Sequence, residues 1–235
     1  MKRLLVLLLL ILPGAALAQD MGGLDPAVGG VGRNAITMVA LLTMLTLVPG
    51  AAIMCSCFPF IVTVLSILRQ SIGLQQSPPN MLIVGLSVFL TWFVMNPVLT
   101  ESWENGIAPL REGTITIEEA ANRVIPPFRK FMEARTDPDT LSSMAEIAPG
   151  RARSASDLSV LVPSFMISEI QRAFEIGFLV ALPFLIIDLV VSAVLMSMGM
   201  MMVPPAVVSL PFKLAFFVAV NGWEMIANAL VRSYQ

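Results

Sequence analysis

The chain has 235 residues, 57% hydrophobic and 13% charged, with a formal net charge of −2 and a mean hydropathy of +0.84, a composition that places it in or against a membrane. No basic tract offers an electrostatic footprint, so nucleic acid is excluded as a partner. The absence of histidine excludes His-based acid–base catalysis and the usual zinc sites.

Residues 1–18, MKRLLVLLLLILPGAALA, have the anatomy of a cleavable signal peptide: basic Lys2 and Arg3, a short apolar stretch, then Ala16 and Ala18 before the expected cut. The glycine-rich residues 19–34 read as a flexible lead-in. Residues 35–100 are predicted to be apolar helices forming a first hairpin region. Pro49-Gly50 and Pro59 divide the run from 35 to 68 into two shorter helices, because proline removes a backbone donor and clashes with the preceding turn. Ser77 is the expected cap of a new helix, with Pro78 at its first position. From Met81 to Leu99 no residue is charged, and a helix over that span reaches roughly 28 Å, enough to cross a bilayer core. Cys55 and Cys57 are too few and too close for a disulfide framework and need no role beyond packing.

Residues 101–157 hold ten acidic and seven basic residues and read as a small helical soluble module, expected on the extracytoplasmic side if the first apolar segment crosses once. Thr116 and Glu119 form a capping-box pattern, Asp137-Pro138 marks a second helix start, and Pro126-Pro127 is predicted to break the module between its helices. APGRARSASD, residues 148–157, reads as a linker.

Residues 158–235 are predicted to be an apolar helical hairpin, with helices over 173–196 and 206–231 and a methionine-rich apical loop at 196–205. A charge at the centre of a lipid-facing helix costs about 2.5–3.5 kcal/mol, so Glu169, Arg172, Glu175, Asp188 and Lys213 should face protein or water, either as ordinary charge satisfaction within a bundle or to fix the assembly of several subunits. A turn centred between Met200 and Met201 brings Asp188 level with Lys213, and the two should pair within the hairpin or between copies. Glu169, Arg172 and Glu175, three apart, let Arg172 reach both acids from one helix face. The loop MSMGMMMVPP places five methionines in seven positions. Three readings stay open: a buried apolar turn; a soft-metal site for Cu(I) with the cysteines; or a deformable apolar constriction at the axis of a ring of copies. Gly199 allows a tight bend there, and Pro204 and Pro205 end it. No serine has a histidine partner, the acids form no defined pair, and no glycine-rich phosphate loop is present. The chain therefore reads as a non-enzyme without cofactor or metal.

The stretches LRQSIGLQQSPPN, GLSVFLTWFVMNPV, VPSFMISEIQRAFEIGF, GMMMVPP and SLPFKLAFFVAVNGW resemble signature stretches of the FliP family of flagellar type III export gate proteins, whose injectisome relatives are called SctR. FRKFMEART also looks family-like. The resemblance implies an all-α integral membrane protein of kinked apolar helices, located in the bacterial inner membrane within the flagellar basal body. It implies a pore-forming subunit, about five copies of which assemble with FliQ and FliR above FlhB and FlhA and pass unfolded flagellar proteins. It also implies that the hairpins pack largely on one another, with the gate raised out of the lipid. The family's methionine gasket maps onto Met200, Met201 and Met202, supported by Met198, Gly199, Pro204 and Pro205. The sequence departs from the family pattern at Pro59 and Phe60, where a polar or basic pair is typical, and at Asn221, where aspartate is usual. Alternatives are an injectisome gate subunit, disfavoured by the signal peptide and VLMSMGMMM, and a small-ion or metal transporter.

Overall fold

The computed structural model describes residues 38–39, 42–43, 50, 53–73, 78–148, 157–200 and 202–234. The signal-peptide, lead-in, Pro49 and Ser77 expectations, and most of the 148–157 linker, lie outside them. Residues 1–50 form a unit of their own, whose described residues are helical. From residue 53 on, the described residues form helices joined by turns, with no strand among them.

Helix α1, Phe58–Ile72, carries Pro59 in its first turn, where the missing N–H costs nothing, and ends at Gly73 in the left-handed conformation. Pro59 thus starts a helix rather than interrupting one. Phe60, Ile61, Val64, Leu65, Leu68 and Ile72 recur at helical spacing and are all buried, each burial stabilising by roughly 1.5–3 kcal/mol. They make α1 the centre of the core.

Helix α2, Asn80–Ser102, opens with Pro79 at its N-cap. Pro78 lies in a bend before it, two residues short of the first helical position. The Arg69 guanidinium is bonded to the Asn80 side-chain oxygen and pins this corner. α2 continues through a π-helical turn, Trp103–Ile107, into α3, Ala108–Arg111, so the sequence boundary at 100/101 falls inside continuous helix. Pro97 and Pro109 lie within this run without ending it, and the left-handed residue that follows it is Gly113.

Helix α4, Ile117–Arg135, starts on the Thr116–Glu119 capping box. Pro126 and Pro127 lie inside it, contrary to the expected break. The carbonyls they leave open, on Asn122 and Arg123, belong to exposed residues that water can satisfy. Helix α5, Pro138–Ile147, is capped by the Asp137 carboxylate, which accepts from the Thr140 backbone and hydroxyl, both at 2.9 Å.

Helix α6, Leu158–Ser197, is one 40-residue element, beginning fifteen residues before the expected 173. It packs most extensively on α1. Ala173, Gly177 and Ala181, four apart, form a small-residue seam on its buried face. A Cβ on Gly177 would collide with the Ile67 side chain, so this seam sets how closely the two axes approach.

The expected single helix over 206–231 is instead two, α7 at Pro205–Ala219 and α8 at Gly222–Arg232, bent by 62°. Asn221 adopts the left-handed conformation, φ 49 and ψ 49, which asparagine tolerates better than most L-residues. Gly222 lies against the Phe217 ring with no room for a Cβ. Among the described residues, two helices, Asn80–Arg111 and Leu158–Ser197, are long and apolar enough to cross a membrane, and the bent α7–α8 pair makes a third if taken as one broken span.

Candidate functional site

The apex joining α6 to α7 begins with a hydrogen-bonded stop. Gly199 sits at φ 76; its N–H donates to the Met196 carbonyl at 3.0 Å and the Met200 N–H to the Leu195 carbonyl at 3.0 Å. These are the two reversed bonds of a Schellman motif, which needs a left-handed residue where Gly199 stands. They turn Met200 back toward Leu195, and both line an apolar cavity of about 570 Å³ with Val191, Val208 and Phe212. Pro204 then caps α7 and Pro205 occupies its first turn. Met198 is 64% exposed, Met200 39% and Met202 96%; Met201 lies outside the described residues. Met198 and Met200 thus border the apolar cavity while remaining partly exposed, and Met202 is almost wholly exposed.

Below the apex, the structure brings Asp188 and Lys213 together, Nζ to Oδ2 at 2.6 Å. The Ser209 hydroxyl donates to Asp188 Oδ1 at 2.5 Å, and Lys213 Nζ also donates to the Ser71 carbonyl at 3.0 Å. The clasp therefore holds the two arms of the hairpin and ties them to the last turn of α1.

The second charged group is arranged differently from expectation. Glu169 is fully buried, and its Oε1 accepts from Arg135 Nε at 3.1 Å and Arg172 Nη1 at 3.4 Å. The Tyr234 hydroxyl donates to Oε2. Arg172 does not reach both acids: its guanidinium lies toward Glu169 and the Arg135 carbonyl at 3.4 Å, as side chains on a helix lean toward its N-terminus. Glu175 is exposed and accepts from Gln171 Nε2 at 3.4 Å. Sequence reasoning missed Arg135 and Tyr234 as members of this group. Arg135 stands within FRKFMEART, but its partners are 34 and 98 residues away, beyond any local pattern.

Cys57 is buried beside α1, and that burial pushes its thiol up to about 12; Cys55 is raised for the same reason. Neither is poised as a thiolate nucleophile or metal ligand near neutrality. Cys55 packs on Met132, Leu161 and Phe165, near the start of α6. Leu161 and Leu195 are about 50 Å apart along the helix at 1.5 Å per residue, so the thiols and the methionine apex form no common sulfur site. At the three positions that depart from the family pattern, Pro59 occupies the first turn of α1, Phe60 fills the core against Tyr234, ring centroids 5.4 Å apart, and Asn221 makes the α7–α8 bend.

Comparison with known proteins gives a consistent result. The family model described as the FliP family matches residues 41–230. The chain is 46% identical over 229 residues to the flagellar biosynthetic protein FliP of Caulobacter vibrioides, covering 96% of this chain and 86% of the relative. It is 43% identical over 240 residues to that of Agrobacterium fabrum, covering 97% of each. Against that of Bacillus subtilis it is 42% identical over 204 residues, covering 86% of this chain and 92% of the relative.

Proposed function

The chain belongs to the FliP family of flagellar export apparatus components, structural parts of that apparatus rather than enzymes, and on that premise we propose that it is a pore-forming subunit of the flagellar type III protein export gate. In this reading about five copies assemble into a ring with FliQ and FliR, above FlhB and FlhA, in the inner membrane of the flagellar basal body. Unfolded flagellar proteins pass through the ring. The signal peptide directs the mature N-terminus out of the cytoplasm, and the helices at 117–147 lie on that outer side.

The observation that carries the reading is the apex. Exposed methionines are held at the tip of a hairpin by a Schellman stop on one side and Pro204-Pro205 on the other. Arranged around an axis, Met200, Met201 and Met202 form a gasket: unbranched side chains with three torsions deform around a passing chain and close again as an apolar constriction that excludes water and ions. Met198 and Gly199 fix the approach to that ring. The Asp188–Lys213 clasp keeps the two arms from splaying, and the Glu169 group fixes the subunit for assembly.

Replacing Met200, Met201 and Met202 together with alanine tests the gasket. The complex should assemble and export, but conduct ions when reconstituted in a planar bilayer. Conductance no greater than that of the unaltered complex, with assembly intact, would remove the gasket role.

A further inference from the structure

After α8, Ser233 and Tyr234 turn into the joint between α4 and α6. The Tyr234 ring stacks on Phe131 of α4, centroids 6.0 Å apart at 15°, and meets Phe60 of α1 edge-on. The Arg135 guanidinium lies over its face, 4.1 Å from the centroid, while Arg135 Nη1 donates to the Ser233 carbonyl at 2.8 Å. Arg135, in the last turn of α4, is therefore gripped by Glu169 of α6 on one side and by this segment on the other. Its Nη2 is buried without a partner, so the guanidinium has no spare contact to exchange for a lost one. Burial, and then the Glu169 carboxylate, push the Tyr234 phenol up, which keeps it a protonated donor at physiological pH.

We infer that Ser233–Tyr234 is an intramolecular latch that sets the position of α4 and α5 against α6. Withdrawing it strips the Glu169 Oε2 of its phenol donor and Arg135 of both its ring and its carbonyl. What still holds α4 and α5 against α6 is then the Arg135–Glu169 ion pair with one donor fewer around its carboxylate, the Arg172 bond to the Arg135 carbonyl, the Met132–Leu161–Phe165 cluster and the 3.0 Å bond from the Asp137 N–H to the Ser168 hydroxyl. The joint loosens locally, while the α6–α7 hairpin, fastened by its own Asp188–Lys213 clasp, stays closed. Because α8 reaches the joint only through the 62° bend at Asn221, the latch also links the second arm of the hairpin to α4. The inference rests on contacts within one chain and needs no ring.

Amide hydrogen exchange of the full chain in lipid nanodiscs, with Tyr234→Phe and Tyr234→Ala variants, tests it. Tyr234→Phe keeps the ring and removes the donor. Exchange across 128–147 should quicken by about tenfold in Tyr234→Phe and about a hundredfold in Tyr234→Ala, the scale of losing a charged hydrogen bond and then the packing as well. Exchange across 185–197 and 205–217 should not change. An unaltered rate in 128–147 overturns the latch, and so does an equal rise in the hairpin, which marks a general loss of stability. If the alanine variant fails to accumulate, Tyr234→Phe decides alone by the same two readings.

Discussion

Replacing Asp188 with asparagine leaves the Lys213 ammonium, with its side chain 7% exposed, facing an uncharged amide and the Ser71 carbonyl. Breaking a buried ion pair by removing one partner costs about 3–5 kcal/mol, because the other charge stays desolvated. The Asp188 side chain is 35% exposed, so water reaches the gap and the lower figure, about 3 kcal/mol, applies. Replacing Lys213 with methionine strands the carboxylate instead, but Asp188 keeps the Ser209 hydroxyl and solvent, and the cost falls to about 1–2 kcal/mol. In the double variant no charge is left buried, and methionine fills the space of the lysine stem, so the total should again be about 1–2 kcal/mol. The two changes are therefore coupled by about 2–4 kcal/mol, or about 30- to 800-fold in the unfolding equilibrium. Denaturation of the four proteins in mixed micelles, followed by helicity, measures this directly. A double variant destabilised by the sum of the single ones, with coupling below about 0.5 kcal/mol, would show that the clasp is two independent contacts.

Gly199→Ala should cost about 1 kcal/mol by the same assay, and Gly199→Asn less, because an added Cβ meets no atom within 4 Å and only the left-handed backbone opposes it; an alanine variant as stable as the parent refutes that account. Gly222→Ala should cost about 1–3 kcal/mol through collision with the Phe217 ring, and Phe217→Leu in the same chain should recover part of the loss; no recovery would place the strain elsewhere. The Asp137 carboxyl is held below its ordinary value by bonds from the Thr140 backbone and hydroxyl. A lowered folded pKa contributes stability above the unfolded value of about 3.9 and loses it as pH falls through the folded value. Asp137→Asn should accordingly quicken amide exchange in 138–147 near neutrality and make progressively less difference below that range. A difference that persists unchanged in acid would refute the carboxylate cap.

Local chemistry was readable and long-range chemistry was not. The Thr116–Glu119 box and the Asp137-Pro138 start are set by residues within three positions, so the sequence states them outright. The level of Asp188 with Lys213 followed from counting outward from a turn. Pro126-Pro127 misled because proline's cost depends on whether the orphaned carbonyls face water, and that is a property of the packed helix. The bend at Asn221 was hidden because asparagine accepts a left-handed conformation without requiring it. Arg172 was assigned two acids by spacing alone, yet spacing carries no information about Arg135 and Tyr234, which reach the same carboxylate from distant parts of the chain and decide which acid is buried.

The length of α6 has a consequence of its own. Forty residues at 1.5 Å each make a rod of about 60 Å, roughly twice the thickness of a hydrocarbon core. Even at a steep tilt of about 40°, that core accommodates only about 26 residues of helix. If α6 crosses the core, about fourteen stand clear of lipid. Leu158 to Gln171 is a stretch of that size, with Glu169 near its inner end and the α4–α5 joint built around it. A helix that crosses the core in this way would belong to two solvents, with Pro163 and Pro183 lying inside the element that joins its tip to the joint beyond the hydrocarbon.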